Sequence, residues 1–176
     1  MLESFFQKVL LLKNIQRQGW KNKLGMNNVE SVADHSYSTA MMSMVISDLE
    51  GLDTAKIIKM ALLHDLAESV VGDITPDKIK AERKINMENK AMIQILENLP
   101  SNLSQQYSVL WDDFQKNSST EAHLLHEIDK LEMAFQAKFY LDEGISKEKL
   151  RSFFKTANNE IRNKHLRDIL SSTIEQ

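Results

Sequence analysis

Residues 57–70 read IIKMALLHDLAESV, and the fold is decided there. The run holds no glycine and no proline. It is longer than an ordinary strand and its apolar residues fit a helical period, so it predicts a helix. Ile57, Ile58, Met60, Ala61, Leu62, Leu63, Leu66 and Ala67 make that helix apolar almost all round, which places it in the middle of the molecule. His64, Asp65 and Glu68 interrupt it on one side. At 100° per residue, they fall within an arc of about 100°. Two carboxylates and an imidazole in apolar surroundings cost several kcal/mol unless something compensates them. A divalent cation does so, because it accepts lone pairs from both residue types and neutralises the acids. The plainer alternative is a His-Asp pair of the kind common on protein surfaces.

Working outward, Asp53 or Thr54 starts this helix and Gly72 ends it, with GDITP (72–76) as a turn before Pro76. Upstream, Ser31 offers an N-cap with Asp34 three residues on, an approximate capping box, for a helix reaching about Glu50 and stopped by Gly51. A first helix is predicted over about residues 2–17, with Phe5, Val9, Leu12 and Gln16 near one face, followed by a loop, GWKNKLGMNN. Downstream, Asp77 is read as the cap of a charged helix extending to about Asn98. Pro100-Ser101 breaks the chain before a shorter helix with Val109, Leu110, Trp111 and Phe114. Ser119 or Thr120 caps a helix to about Asp142, before Gly144. Ser146 then opens a final pair carrying Leu150, Phe153, Phe154, Ile161, Leu166 and Ile169. With only 5 glycines and 2 prolines in 176 residues and no valine-rich alternation, the fold class is all-α, and residues 1–176 read as one domain.

Composition narrows the function. There is no cysteine, which excludes disulfides, thiolate zinc sites and a cysteine nucleophile, and fits a cytoplasmic protein. The net charge of -3 provides no basic face for a nucleic-acid polymer. The N-terminal MLESFFQKVLLLKN is broken by Glu3, Gln7 and Lys8, so it reads as an amphipathic helix rather than a signal peptide or membrane span.

Two further residues are metal-ligand candidates. His35 falls on the first turn of its helix, where the alternative is a bond to backbone. Asp129 shares a mostly apolar face with Ala122, Leu125 and Met133, where the alternative is one half of a buried ion pair. Together with His64 and Asp65 they supply two imidazoles and two carboxylates, a set suited to one first-row divalent ion or Mg²⁺ (Mn²⁺, Co²⁺, Fe²⁺, Zn²⁺ and Mg²⁺ all qualify) with positions left for water and substrate.

The order His35, then His64-Asp65, then Asp129 resembles the H…HD…D signature of the HD-domain phosphohydrolase superfamily. IQRQGW, ESVADHS, LLHDLAESVVGDITP and EIDKLEMAFQA resemble, more narrowly, its 5′-deoxynucleotidases. The resemblance implies packed helices around a central metal pocket, and release of phosphate from deoxynucleoside 5′-monophosphates. It implies that His35, His64, Asp65 and Asp129 bind the metal and that Arg17 grips the phosphate. Trp20 would line the pocket near sugar or base, Glu68 and Asp73 would move protons at the attacked phosphorus, and Thr75 would touch the nucleotide. It implies a homodimer, for which Trp111, Phe114, Phe153, Phe154 and the nine methionines are candidate contacts if they are not core. His123, His126 and His165 fall outside the pattern; the first two are read as solvated and His165 as structural or exposed. The competing functions are another HD-type hydrolase acting on cyclic nucleotides, alarmones or triphosphates, a non-catalytic nucleotide-binding module, and a helical interaction protein without metal.

Overall fold

The structure is a computed structural model that describes residues 2–174. In chain order the elements are α1 (Leu2–Leu11), a 3₁₀ turn (Leu12–Asn14), α2 (Gln18–Leu24), α3 (Val32–Glu50), α4 (Thr54–Leu63), α5 (Glu68–Val71), α6 (Ala81–Leu96), α7 (Ser101–Lys116), α8 (Thr120–Asp142), α9 (Lys147–Glu160) and α10 (Lys164–Ile174). The chain is all-α, as its composition requires. The extended pairing among the described residues is an isolated antiparallel bridge between Gln16 and Ser31. Two backbone bonds flank it, Arg17 N–H to Glu30 O at 3.0 Å and Val32 N–H to Ile15 O at 2.8 Å. These bonds clip the segment before α2 to the segment before α3.

Several caps form as the sequence predicts. Ser31 Oγ accepts from the Asp34 N–H at 3.2 Å, and the Asp34 carboxylate accepts the Ser31 N–H at 2.9 Å, completing the capping box. Gly51 ends α3 at φ 69°, a left-handed conformation that suits glycine. Asp53 caps α4 and Ser119 caps α8.

Other expectations need correction. The predicted first helix stops at Leu11 and passes through the 3₁₀ turn, because the bridge to Ser31 draws residues 15–17 into an extended path. The predicted loop after it holds α2, whose Trp20 and Leu24 are buried. Asp77 does not cap the charged helix; Lys80 occupies that position. The helix before Asn117 is not short, since it begins at Ser101 immediately after Pro100. The central helix is not continuous: α4 ends at Leu63, a turn covers 64–67, and α5 resumes at Glu68.

Three apolar clusters hold these elements. One joins Ile57, Met60 and Ala61 of α4 to Leu125, Ile128, Leu131 and Ala134 of α8, with Ile161 and Leu166 beneath. A second packs Leu63, Leu66 and Ala67 against Met92, Ile95 and Leu96 of α6. A third gathers Trp20, Leu24, Ala137, Tyr140 and Leu150. His64 and Asp65 therefore stand in the chain between Ala61 of the first cluster and Leu66 of the second, at the seam. Trp111 and Phe114 are core residues, and Phe153 and Phe154 are half-buried against the clusters, so none of the four is a free surface aromatic. The exposed apolar residues lie elsewhere: Tyr37, Met41, Val45 and Leu49 recur every fourth residue along α3. No helix among the described residues is long and apolar enough to cross a membrane.

Candidate active site

The capping box fixes the first turn of α3 and so aims His35 inward, where it is fully buried. From the end of α4 comes His64, and Asp129 projects from the middle of α8. His35, His64 and Asp129 each offer a ligand atom within 4.8 Å of the others. The two imidazole Nε2 atoms are 3.3 Å apart, and His35 Nε2 is 3.1 Å from Asp129 Oδ1. Asp65 Oδ2 joins them, 3.3 Å from His64 Nε2 and 3.6 Å from His35 Nε2.

The turn over 64–67 explains how Asp65 and Glu68 come to share an edge. Leu66, Glu68, Ser69 and Val70 donate backbone bonds three residues back, the 3₁₀ pattern. Residues three apart eclipse in that geometry, so Asp65 and Glu68 stack one above the other.

The donor set fits a cation. His35 Nδ1 lies 2.6 Å from Glu132 Oε2, and His64 Nδ1 lies 2.6 Å from the Ala61 carbonyl. An acceptor on each Nδ1 fixes the N–H there, which leaves both Nε2 lone pairs facing each other and two carboxylates. Four lone-pair donors converging without a proton repel one another unless a positive charge lies among them. Ligands about 2.1 Å from one metal stand about 3.0–3.4 Å apart, close to the spacings seen here. The electrostatics agree. Burial and Arg17 oppose charge on His35, yet bonding to Asp129 and Glu132 outweighs both and lifts its pKa to about 10. In the absence of metal, a proton takes the cation's place. Burial would raise Asp129, but Lys130 and His35 hold it well below the usual carboxylate range.

A cavity of ≈ 280 Å³ opens beside this cluster, lined by Arg17, Trp20, Asp65, Glu68, Asp73, Thr75, Lys84, Asp129 and Lys130 among others. Arg17 Nη1 donates to Asp65 Oδ2 at 3.1 Å. Burial disfavours the Arg17 charge, but Asp65, Asp129, Glu68 and Asp73 raise its pKa above the ordinary value. The Trp20 indole N–H donates to Glu30 Oε1 at 2.6 Å, and its ring lies on Phe153 with centroids 3.8 Å apart. Trp20 thus walls the cavity from a fixed position. Asp73 Oδ2 accepts the Gln18 N–H at 2.6 Å, tying the loop after α5 to the start of α2. Glu68 is 2 % exposed and its Oε2 has no partner. Burial, then Asp65 and Asp73, push its pKa well above the ordinary carboxyl value. A larger depression of ≈ 610 Å³ between α4 and α7 is lined by Asp53, Lys56, Lys59 and Gln105 among others. Its lining holds none of His35, His64, Asp65 and Asp129, whereas Asp65 and Asp129 line the smaller cavity, so chemistry rather than volume selects the smaller one.

The structure brings all nine residues named from the sequence into this one region. His123 and His165 lie outside it and are exposed. The expectation of solvation does not hold for His126, which is half-buried, stacks on Phe114 at 4.2 Å and bonds the Phe114 carbonyl. The sequence reading missed Glu132, Glu30, Lys84 and Lys130. Glu132 could have been found, because it follows Asp129 by three residues and shares its helix face. For Glu30 and Lys84 no spacing signal exists, since they reach the site from a loop and from a separate helix.

The HD domain family model matches residues 9–169. The chain belongs to the HD-domain family. Among its HD-domain relatives, the 5′-deoxynucleotidase HDDC2 of Dictyostelium discoideum is 41% identical, with 85% of this chain and 84% of that protein covered. The human 5′-deoxynucleotidase HDDC2 is 38% identical, covering 87% of this chain and 74% of that protein. In three dimensions, the PH0347 protein from Pyrococcus horikoshii OT3 superposes with a TM-score of 0.79 at 32% identity, over 98% of both chains.

Proposed function

We propose that this HD-domain protein is a metal-dependent 5′-deoxynucleotidase that releases phosphate from deoxynucleoside 5′-monophosphates. The observation that carries this reading is that His35, His64 and Asp129 each offer a ligand atom within 4.8 Å of the others, with Asp65 Oδ2 3.3 Å from His64 Nε2, beside a cavity rimmed by Arg17. The activity borne in the names of the HDDC2 relatives supports the substrate class. The cavity is at the small end of ligand pockets, which run from roughly 300 to 1,000 Å³. That favours a mononucleotide over a polymer.

In this reading the four named residues hold one divalent ion, which when bound supplies Lewis-acid activation of water and of a phosphate oxygen. Arg17 presents a planar fork of donors to the other phosphate oxygens, where charge spreads in a loose transition state. Glu68, whose pKa is pushed up by burial and by Asp65, would give a proton to the leaving 5′-oxygen. Asp73, whose carboxylate accepts the Gln18 N–H, would orient or deprotonate the attacking water. Trp20 and Thr75 bound the space for sugar and base.

We also propose that residues 1–176 are one phosphohydrolase domain, cytoplasmic in keeping with the absence of cysteine, and paired with a second copy. The exposed α3 stripe of Tyr37, Met41, Val45 and Leu49 supports pairing. Sedimentation equilibrium giving the mass of one chain would refute that part. The test of function is phosphate release from the deoxynucleoside monophosphates, their ribonucleotide counterparts, triphosphates and cyclic nucleotides, with Mn²⁺, Co²⁺ or Mg²⁺ added to chelator-stripped protein. Turnover confined to triphosphates or cyclic nucleotides would favour another HD-type hydrolase. Metal and nucleotide binding without turnover would indicate a binding module.

A further inference from the structure

Three cations line the cavity, and they are held differently. Arg17 is bonded to Asp65 at 3.1 Å, and Lys130 is bonded to Asp129 at 2.7 Å. Each is thereby committed to a carboxylate of the candidate metal cluster. Lys84 comes from the first turns of α6, and its Nζ stands 3.4 Å from Glu88 Oε1 and 3.9 Å from Glu68 Oε1. Neither contact is a short hydrogen bond. Glu88 sits one helical turn farther along the same helix, so it steadies the ammonium without drawing it out of the cavity. Beside it, Glu68 Oε2 is buried without a partner.

Charge sharpens the point. The lining includes Arg17, Lys84 and Lys130 against Asp65, Asp73 and Asp129, which balance when Glu68 carries the proton it donates in the reading above. A divalent ion then leaves an excess of two positive charges. A phosphate monoester brings a charge of about −1.5 to −2. Removing Lys84 would leave the metal-loaded lining with one positive charge, less than the charge of that anion. Of the three ammonium and guanidinium groups, Lys84 can turn to a ligand with the smallest loss of existing bonds.

We propose that Lys84 is a second phosphate-binding cation, which takes one substrate phosphate oxygen from the α6 wall while Arg17 takes the others. It rests on the phosphomonoesterase reading above. Glu88 is its positioning residue and makes no contact with substrate. A lysine suits this place because its compact ammonium can swing between Glu88 and a phosphate.

The test compares wild type, Lys84→Met, Lys84→Arg and Glu88→Gln. Readouts are KM and kcat for a deoxynucleoside monophosphate, inhibition by inorganic phosphate, and Mn²⁺ affinity by calorimetry. A lost charge-assisted bond to phosphate is expected to raise KM and the phosphate inhibition constant of Lys84→Met by about 10- to 100-fold. Mn²⁺ affinity should stay within twofold. Lys84→Arg should recover most of the loss, and Glu88→Gln should move the same two constants by a smaller factor. Unchanged KM and phosphate inhibition in Lys84→Met overturn the proposal. So does a parallel fall in Mn²⁺ affinity, which would put Lys84 in the assembly of the metal cluster. If Lys84→Met fails to fold by circular dichroism, Lys84→Gln is measured in its place against the same criteria. Should wild type hydrolyse no monophosphate, the functional reading falls on its own. Calorimetric titration of inorganic phosphate into Mn²⁺-loaded protein then still decides Lys84, with equal affinity in wild type and variant refuting the role.

Discussion

Replacing Glu132 with glutamine tests the metal site through a residue that is not among the four candidate ligands. Glu132 Oε2 is 2.6 Å from His35 Nδ1, and its side chain is 3% exposed. A carboxylate there can only accept, so it fixes the proton on Nδ1 and leaves Nε2 free for the cation. Glutamine is close in size, so packing is preserved, but its amide has lost the charge and can present either a donor or an acceptor. Losing such a partner behind a metal-bound histidine costs about 10- to 100-fold in metal affinity, or about 1.4–2.7 kcal/mol. Calorimetric titration of Mn²⁺ into chelator-stripped protein should therefore give a Kd at least tenfold weaker for Glu132→Gln. The metal-dependent rise in Tm should shrink with it. A Kd within twofold of wild type, for a variant that folds normally, would show that His35 is not oriented by Glu132 and would undermine the tautomer argument for the whole cluster.

Arg17→Ala should raise KM or lower kcat for the nucleotide while metal content is unchanged; loss of metal would contradict its phosphate role. Asp73→Asn keeps an acceptor for the Gln18 N–H, so it should fold, yet turnover should fall by about 10²-fold or more if Asp73 handles a proton. In metal-free protein, the His35 pKa is raised to about 10 from an ordinary 6.5. Its contribution, several kcal/mol, should be fully present below about pH 6.5 and lost as pH rises toward 10. Urea titrations of stripped protein at pH 6 and pH 10 check this, and a midpoint that does not fall between them, once the smaller titrations are matched in Glu132→Gln, refutes it. Leu125→Ala, at a position with 0% exposure in the largest cluster, should cost about 2–5 kcal/mol. Thermal melts should register about 2–4 °C for each kcal/mol.

The sequence exposes three of the four clustered side chains because each is a polar residue where helical periodicity demands an apolar one, and the fourth, His35, through the order of the motif. His64 and Asp65 break a run of isoleucine, leucine and alanine, and Asp129 lies on the face of Leu125. Periodicity says nothing about how neighbouring helices meet, and the remaining features depend on that. The break after Leu63 is invisible because Ala61 to Ala67 favours helix throughout; the turn forms where side chains from α3 and α8 crowd the imidazole. The end of α1 is set by backbone pairing with residues far along the chain. Asp77 looks like a better cap than Lys80, but the loop that delivers Asp73 to the Gln18 N–H moves the start of α6 to Ala81. Histidine 126 carries no mark that separates it from the exposed His123, and only the position of Phe114 on the adjacent helix distinguishes them.

The clip between residues 15–17 and 30–32 has a mechanical consequence. Arg17 and His35 come from stretches that exchange backbone bonds at 3.0 and 2.8 Å just ahead of the α3 cap. Whatever displaces one displaces the other, so the span between the guanidinium and the first imidazole is built into the main chain rather than left to side-chain rotation. In the proposed reading, a phosphate that meets Arg17 while resting on an ion held by His35 would have to match that gauge.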